Sequence, residues 1–498
     1  MLHSSTAHKD DVYERELFSV APMMGHTNRH YRYFFRQLSK RAHLYTEMIP
    51  SSQIVRAYKR ARQLYLGVSV KNDISSDEVF EVMQRLKIDP SIEYQQQSHE
   101  LDDFLTLHQL VGISKAEENS PIVLQLGGNN PKILGEATLI GAAFANYTSV
   151  NLNCGCPSNA IGGRSGGCAL MKDADLVARC VEEMHQQAIH LDRNYAPTIT
   201  VKHRLGVRDA STFDAVADWA KRDEEAVNEC SSFVRTVSLA GSVPKFHVHA
   251  RLGLLGEFVA ERGDDRRRQT LWTPGSEDDS NKHIKIDHKR EQERARRRAR
   301  EAVIMNRNLP PLRPAVVHRL SEEFPHLQFV ANGGIENLAS VKECAASSKV
   351  VGAMVGRAAI NHPCSFSSAD DLWGDVKQDL STRGQVLEEY IQYCDKEETR
   401  LTDMGVSSLQ LEALRRRLIS VPFHLFVGEN GSDKFQRRLT KLKDKTSGMK
   451  ASSVLSGAAS FVPPHSMNKC INDFVAWDDI AKYEFGIKRG SAMKRIVY

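Results

Sequence analysis

One cysteine of this chain stands where a thiol is available for chemistry. Residues 151–158 read Asn-Leu-Asn-Cys-Gly-Cys-Pro-Ser, so Cys156 lies on a polar turn directly after a short apolar run. Gly155 and Pro157 end that run and force the backbone to turn. A thiol with an ordinary pKa of about 8.5 is mostly protonated near neutral pH and can give up its proton. Burial as a small apolar side chain is the more common fate of cysteine, and the neighbouring motifs favour the functional interpretation.

Two glycine turns late in the chain form a second group of candidates. Asn332, Gly333 and Gly334 follow one apolar run, and Gly356 with Arg357 follows the next. Glycine lets backbone N–H groups approach phosphate oxygens, and arginine adds a planar, permanently charged group. For either turn alone, a plain left-handed turn before a helix is the alternative. Because both turns follow consecutive apolar runs, we predict a site for a phosphate-bearing cofactor.

A third group consists of side chains that follow other apolar runs. Met23 and Met24 offer an apolar surface to a flat ring, while Gln125 and Lys202 offer polar donors to its carbonyl edge. Each of them alone is ordinary, since a Gln or Lys at a strand end usually points into solvent. Their convergence on one edge predicts a site for a flat, electron-rich ring. The whole group comprises Pro22, Met23, Met24, Gln125, Lys202, Arg204, His249 and Arg251.

Eight short apolar runs alternate with helical patterns, and this alternation predicts an α/β fold, the (β/α)8 or TIM barrel. All three groups of candidates would then share the C-terminal rim of the barrel, where catalytic groups gather in this fold. The predicted strands are 18–20, 44–45, 122–126, 149–152, 198–201, 246–249, 329–331 and 351–355. The predicted helices include 30–38, 131–145, 174–188, 313–324 and 337–346.

Two stretches interrupt this alternation and are predicted insertions in a barrel that spans residues 17–370. Residues 67–120 are too long for one connection and contain their own helical pattern at 77–87. Residues 257–305 are highly charged and include a basic run at 289–300. The remaining length is close to the roughly 250 residues that are typical of such a barrel.

The ends of the chain differ from the barrel. Strand signals stop after residue 370, and amphipathic patterns predict an all-helical domain over 371–445. Residues 446–498 are rich in Ser, Gly and Lys, which predicts a mobile C-terminal tail. Residues 1–16 are predicted to be an N-terminal tail.

Composition indicates an ordinary globular protein in water. Of 498 residues, 41% are hydrophobic and 26% are charged, and no window approaches the roughly 18 apolar residues of a membrane span. The acidic start fits neither a secretory signal nor a transit peptide, so we expect a cytoplasmic location, with an organelle or the nucleus left open. Nine cysteines without regular spacing predict reduced thiols, and no zinc-type spacing surrounds Cys154 and Cys156, so no metal is expected.

Taken together, these motifs resemble those of the tRNA-dihydrouridine synthases, and most closely the bacterial A-type branch of that family. The resemblance covers roughly residues 17–66, 121–256 and 308–442, with the motifs in family order. The matching segments are 20–23, 44–48, 125–128, 151–158, 201–206, 249–251, 332–335 and 355–357. Cys154 departs from the pattern, because an apolar residue is usual there, and we favour packing as its role.

The resemblance implies an FMN enzyme that uses NADPH to reduce the C5–C6 double bond of a uridine in the tRNA D-loop. It favours positions 20 and 20a, and it implies that Cys156 protonates C5 after hydride reaches C6. The FMN-binding residues that it implies are Pro22, Met23, Met24, Gln125, Lys202, His249, Asn332, Gly333, Gly334, Gly356 and Arg357. The substrate-binding residues are Asn153, Arg204, Arg415, Arg416, Arg417, Arg437 and Arg438.

Basic side chains of the predicted helical domain would bind tRNA phosphates by shape rather than by sequence. A solvated basic helix face is the alternative. The run at 289–300 is a further hypothesis for RNA contact, beside a nuclear-import sequence or a merely soluble helix. Two rival functions stay open: an FMN barrel that acts on a free pyrimidine, and an RNA-binding protein that retains the fold without catalysis.

Overall fold

A computed structural model describes most residues of the chain. They are 15–67, 74–88, 106–157, 166–190, 196–211, 223–241, 243–256, 306, 310–347, 350–374, 381–443 and 448–473. The second predicted insertion, with its basic run at 289–300, lies outside the described residues. So do most of the N-terminal tail and residues 474–498.

Eight parallel strands close into a barrel, which confirms the predicted fold. The strands in chain order are β1 (Phe18–Val20), β2 (His43–Tyr45), β3 (Ile49–Pro50), β4 (Ile122–Gly127), β5 (Ser149–Cys154), β6 (Thr198–Arg204), β7 (Val207–Asp209), β8 (Lys245–His249), β9 (Gly253–Leu255), β10 (Gln328–Asn332) and β11 (Gly352–Val355). The barrel order is β1-β2-β4-β5-β6-β8-β10-β11, and β11 pairs again with β1. The short β3 pairs with the end of β4, and β7 pairs with β9 outside the barrel.

The strands are short and apolar because both of their faces are covered. All six residues of β4 and of β5 are buried, as expected for parallel strands between a filled barrel and its outer helices. Successive side chains along a strand point alternately into the barrel and outward to the helices. Val123 and Met354 pack inside the barrel, while Leu124 and Val150 pack outward with the helices.

Helices cover the barrel and then form a separate helical unit. They are α1 (Arg29–Arg36), α2 (Ser51–Leu66), α3 (Ser76–Ile88), α4 (Leu107–Val111), α5 (Pro131–Phe144), α6 (Ala174–Ile189), α7 (Asp223–Gly241), α8 (Pro314–Glu323), α9 (Leu338–Ala346), α10 (Arg357–Asn361), α11 (Arg383–Asp403), α12 (Ser408–Ser420), α13 (Ser432–Lys443), α14 (Ala451–Ala459) and α15 (Pro464–Met467). Short 3₁₀ turns occupy Lys115–Glu117, Gly167–Lys172, Pro363–Phe366, Ala369–Trp373 and Val421–His424. Among the described residues, no helix has the length and apolar character of a membrane span.

The helical unit consists of α11 to α15 and packs on the β1 and β11 side of the barrel. Its core is continuous with α1, and Phe34 of that helix meets the Tyr390 ring edge-on. Capping boxes at Thr382 and Ser407 start α11 and α12, because each hydroxyl accepts an N–H of the first turn and the third residue returns a bond.

The prediction of a mobile tail beyond residue 445 is wrong for residues 448–473. Helix α14 buries Ala451, Val454, Leu455 and Ala458 against α11, α12 and α13. The composition resembled that of a tail because the buried residues are mostly small. Their spacing of three and four is nevertheless that of an apolar helix face.

Helix α1 joins the barrel to the helical unit through polar and aromatic contacts. The His30 imidazole lies 2.8 Å from the Tyr393 hydroxyl, and Tyr33 stacks on the Tyr393 ring at 3.9 Å between centroids. Arg29 forms an ion pair with Glu397. Since α1 directly follows the loop after β1, these contacts hold the helical unit next to the C-terminal rim.

Candidate active site

The turn that carries Cys156 is held from two sides. The Asn153 side-chain oxygen accepts hydrogen bonds from the backbone N–H groups of Gly155 and Cys156, each at 2.9 Å. On the other side, the Arg204 Nε donates to the Gly155 carbonyl at 2.7 Å. The turn follows the last residue of β5, and Cys156 is partly exposed. The thiol therefore lies at the C-terminal rim, as the sequence predicts.

A chain of buried amides fixes Asn153 from inside the barrel. Asn153 donates to the Gln125 side-chain oxygen at 3.3 Å, and Gln125 donates to Asn151 at 2.8 Å. Asn151 in turn donates to the Thr200 hydroxyl at 2.9 Å. Sequence reasoning missed Asn151 and Thr200. The signal was a polar residue at every second position of an otherwise apolar β5, which places those residues on one face.

Arg204 lies beneath the Cys156 turn. Its side chain is buried, with 5% of the residue exposed, and a second nitrogen, Nη1, donates to the Leu252 carbonyl at 2.9 Å. Burial lowers the pKa of Arg204, and the nearby thiols of Cys168 and Cys156 oppose that shift. The structure thus shows Arg204 tying the Cys156 turn to the loop after β8. A contact between Arg204 and substrate stays a prediction.

Cationic side chains crowd the same rim. Burial lowers the pKa of His249 well below its usual value, and the charges of Arg204, Lys202, Arg251 and Arg357 lower it further. His249 is therefore neutral at neutral pH. Burial and then Arg204 lower the pKa of Lys202 to about 8. Because the strongest charge effects on the His249 pKa come from arginine and lysine side chains, this part of the rim is suited to an anion.

The glycine turn after β10 lies against His249. Gly333 and Gly334 have φ angles of +112° and +74°, a region that side-chain-bearing residues rarely adopt. A methyl group at Gly333 would come within 2.9 Å of the His249 ring and 2.8 Å of Leu312. Glycine is therefore required twice, by backbone conformation and by space. The turn brings its backbone to the cationic rim.

The turn after β11 lies near the loop after β1, so these predicted cofactor residues also meet. A Cβ at Gly356 would have the Met23 sulfur, at 3.9 Å, as its nearest neighbour. Met24 is 58% exposed at the same loop. The Glu47 carboxylate accepts the Gly25 N–H and so holds this loop. Glu47 belongs to a motif that the sequence singled out, but its role became visible only in the structure.

Arg415 does not belong to the exposed basic surface of the helical unit. Its Nε donates to the Glu398 carboxylate at 2.7 Å, and both side chains are largely buried. The other Glu398 oxygen accepts the Ala451 N–H at 2.6 Å. Arg415 therefore ties α12 and α14 to α11. Arg416 and Arg417 are exposed instead, because successive residues of a helix point in different directions.

The other predicted basic residues are more accessible. Arg416, Arg417 and Arg437 are exposed, and Arg438 is half-buried. Arg416 pairs with a carboxylate of its own helix at 3.5 Å, and Arg437 does so as well. Exposed helical pairs of this kind are weak, so both guanidinium groups stay available to phosphate. Arg417 lies near the rim, where its charge lowers the pKa of Glu47 against the larger raising effect of burial.

The comparison with known families shows that the chain belongs to the dihydrouridine synthase family. The family profile with that description matches residues 19–69, 105–271 and 297–459. The two unmatched internal stretches, 70–104 and 272–296, fall inside the predicted insertions.

Curated relatives of this chain carry the name tRNA-dihydrouridine(20/20a) synthase. The protein from Synechocystis is 29% identical over 429 residues, which is 86% of this chain and 89% of the relative. The protein from Escherichia coli K12 is 27% identical over 403 residues, covering 81% and 82% of the two chains. The protein from Vibrio cholerae is 26% identical over 388 residues, covering 78% and 82%.

Proposed function

We propose that this protein is a tRNA-dihydrouridine synthase that uses FMN and NADPH to reduce the C5–C6 double bond of D-loop uridines, at positions 20 and 20a. The observation that carries the proposal is the shared rim. Cys156 lies close enough to Lys202 and Arg204 for its charge to act on the pKa of both. Family membership and the names of the relatives support the same reaction.

The donor set at the rim fits FMN. Arginine and lysine charges near His249 suit a phosphate, glycine turns offer it backbone N–H groups, and methionine offers the ring an apolar face. When bound, FMN supplies the hydride that adds to C6 of the uracil. The residues proposed to hold it are Pro22, Met23, Met24, Gln125, Lys202, His249, Asn332, Gly333, Gly334, Gly356 and Arg357.

Cys156 is proposed to complete the reduction as general acid. As the C–H bond forms at C6, the electron pair of the double bond moves to C5 and takes the proton from the Cys156 Sγ. The thiolate that remains lies beside Lys202 and Arg204, whose positive charges stabilise it. Partial exposure lets solvent return the proton. Asn153 holds the turn that carries the thiol, because its side-chain oxygen accepts the Cys156 N–H.

The helical unit is proposed to hold the tRNA. A uridine buried in tRNA tertiary structure must be extracted into a pocket before its ring can react. Arg416, Arg417 and Arg437 present their charges outward on α12 and α13, and Arg417 is near enough to Glu47 for its charge to act on the Glu47 pKa. Contacts from these side chains would fix the backbone while the target nucleotide enters the barrel mouth.

The test uses the full chain, FMN, NADPH and two substrates, an unmodified tRNA transcript and free uridine. We expect a yellow protein that forms dihydrouridine in the transcript, mapped to positions 20 and 20a, and leaves free uridine unchanged. Turnover of free uridine alone would establish the rival pyrimidine enzyme. A protein that binds tRNA but takes up no flavin after incubation with FMN would establish the non-catalytic rival.

A further inference from the structure

A basic groove runs along the outside of the barrel beside α2. Its volume is about 360 Å³. Three of its lining side chains are cations and none is a carboxylate, while Val55 and Ile133 provide an apolar floor. The basic groove is lined by Ser52, Val55, Arg56, Lys59, Arg60, Gln63 and Ile133.

The basic groove starts at the same rim as the thiol. Helix α2 begins directly after β3, and Ile49 of β3 pairs with Leu126 at the C-terminal end of β4. That end of β4 neighbours β5, which carries the Cys156 turn. With a rise of 1.5 Å per residue, Arg56 lies about 8 Å and Arg60 about 14 Å from the start of α2. The groove therefore leads away from the mouth down the barrel wall.

The cations of α2 divide by helix face. Arg62 is buried and pairs with Glu78 of α3 at 3.1 Å, so it contributes to packing. Arg56 is exposed and Lys59 is half-buried on the groove side. Arg56 and Lys59 are three residues apart, a spacing that places both on one face of a helix. Such a pair of cations in an open groove suits an extended polyanion better than a small ligand.

We propose that the basic groove binds the sugar-phosphate backbone of tRNA at nucleotides away from the target uridine. This inference rests on the proposed function, which supplies tRNA as the polyanion. The groove lies on the α2 and α5 wall, whereas the helical unit packs on the β1 and β11 side. Two basic surfaces on different walls would hold the tRNA on both sides of the mouth.

The experiment compares Arg56→Ala/Lys59→Ala with a control of equal charge, Lys115→Ala/Lys342→Ala. Lys115 is exposed in the turn that precedes β4, at the opposite end of the barrel, and Lys342 is exposed on α9. Affinity for unmodified tRNA is measured against salt concentration, together with the kcat and KM of dihydrouridine formation. The rate of FMN reduction by NADPH without tRNA shows whether the active site is intact.

For the groove variant we expect the slope of log affinity against log salt to fall by about 2, because each phosphate contact contributes roughly one unit. KM for tRNA should rise, while kcat and the rate of FMN reduction stay as in the wild type. The reason is that the lost contacts bind the tRNA equally well in the ground state and in the transition state. Arg56→Lys/Lys59→Arg should keep the wild-type slope. The control should also keep it.

A groove variant with the wild-type slope and KM would overturn the basic groove while leaving the proposed function intact. A slope that falls equally in the control would also overturn it, because net charge alone would then explain the change. A wild-type protein that forms no dihydrouridine in tRNA would instead overturn the proposed function, and the groove inference with it.

Discussion

Strand β8 places a histidine toward each end of the barrel, and the charged neighbours of the two histidines differ. At the N-terminal end, Lys245 and His247 meet the buried carboxylate of Glu16, at 3.4 Å and 2.9 Å. The His247 Nε2 also lies 2.6 Å from the Tyr45 hydroxyl. Two residues further along, His249 faces the rim, where arginine and lysine charges lower its pKa.

The two ends differ in the charged groups that surround these β8 side chains. At the N-terminal end, Glu16 supplies the negative charge that Lys245 and His247 contact. We expect this buried network to contribute to the stability of the fold. At the C-terminal end, the charges that act most strongly on His249 are those of arginine and lysine side chains, which suits this part of the rim to an anion. This agrees with the usual division of a barrel into a stability face and a catalytic face.

The largest effect should come from Cys156→Ala, at the catalytic end. Loss of a general acid typically costs about 10²- to 10⁴-fold in rate, and we expect dihydrouridine formation to fall by that amount with FMN still bound. The measurement is single-turnover reduction of tRNA. The matched control is Cys154→Ala: Cys154 is fully buried two residues away and should leave the rate unchanged. A Cys156 variant at full rate would remove the acid role.

Glu16→Gln should show the opposite pattern, with stability lost and chemistry kept. Removing one partner of a buried ion network costs about 3–5 kcal/mol, measured by denaturant unfolding at pH 7. Burial raises the Glu16 pKa, but the combined effect of His247 and Lys245 lowers it by more. The pKa of Glu16 therefore lies well below its usual value. This stabilisation is present above the unfolded pKa of about 4.5 and is lost as pH falls through the folded pKa.

The difference in stability between wild type and Glu16→Gln should therefore shrink below pH 4.5. The activity of each folded molecule should match the wild type. A variant with normal stability and reduced turnover would contradict the division between the two ends.

We expect Arg204→Lys to lower turnover by loosening the Cys156 turn, without the loss of a direct substrate contact. Lysine keeps the charge but cannot bridge the Gly155 and Leu252 carbonyls as the guanidinium does. Because small displacements of a reacting group cost about 10²-fold, we expect kcat to fall by that order. The alkylation rate of Cys156 should change as its turn loosens, with FMN content preserved. Unchanged alkylation with reduced turnover would instead support a direct substrate contact.

The smallest effect should be a pH dependence of FMN affinity. Lys202 has a pKa of about 8, so it loses its positive charge as pH rises through that value. The dissociation constant of FMN, measured by flavin fluorescence, should increase several-fold between pH 7 and pH 9. Lys202→Arg keeps its charge across this range and should abolish the midpoint. A midpoint that persists in that variant would assign the titration to another group.

Much of the barrel could be predicted because its signals are local. Each of the eight strands begins and ends within three residues of its prediction, since apolar runs and turn residues mark them. The rim residues followed from the same logic, because parallel strands end at one edge. Helices α2 and α7 were missed, although α2 contains a regular apolar face at Ile54, Ala57, Tyr58 and Ala61.

The sequence did not show which charged residues pair. Glu16 and His247 are 231 positions apart, and their contact exists only because the barrel closes. Arg415 and Arg416 are adjacent, yet one pairs in the interior and the other is exposed. Packing of the small residues of α14 was likewise decided by α11 and α13 rather than by its own composition.

By itself, the sequence determined the strand pattern, the thiol turn and the glycine turns, because these depend on residues next to one another in the chain. Tertiary structure alone decided that Arg204 lies beneath Cys156, that His247 has a carboxylate where His249 has cations, and that a basic groove lies between α2 and α5. Such contacts depend on barrel closure and on how helices pack against it, and these bring distant segments within hydrogen-bond range.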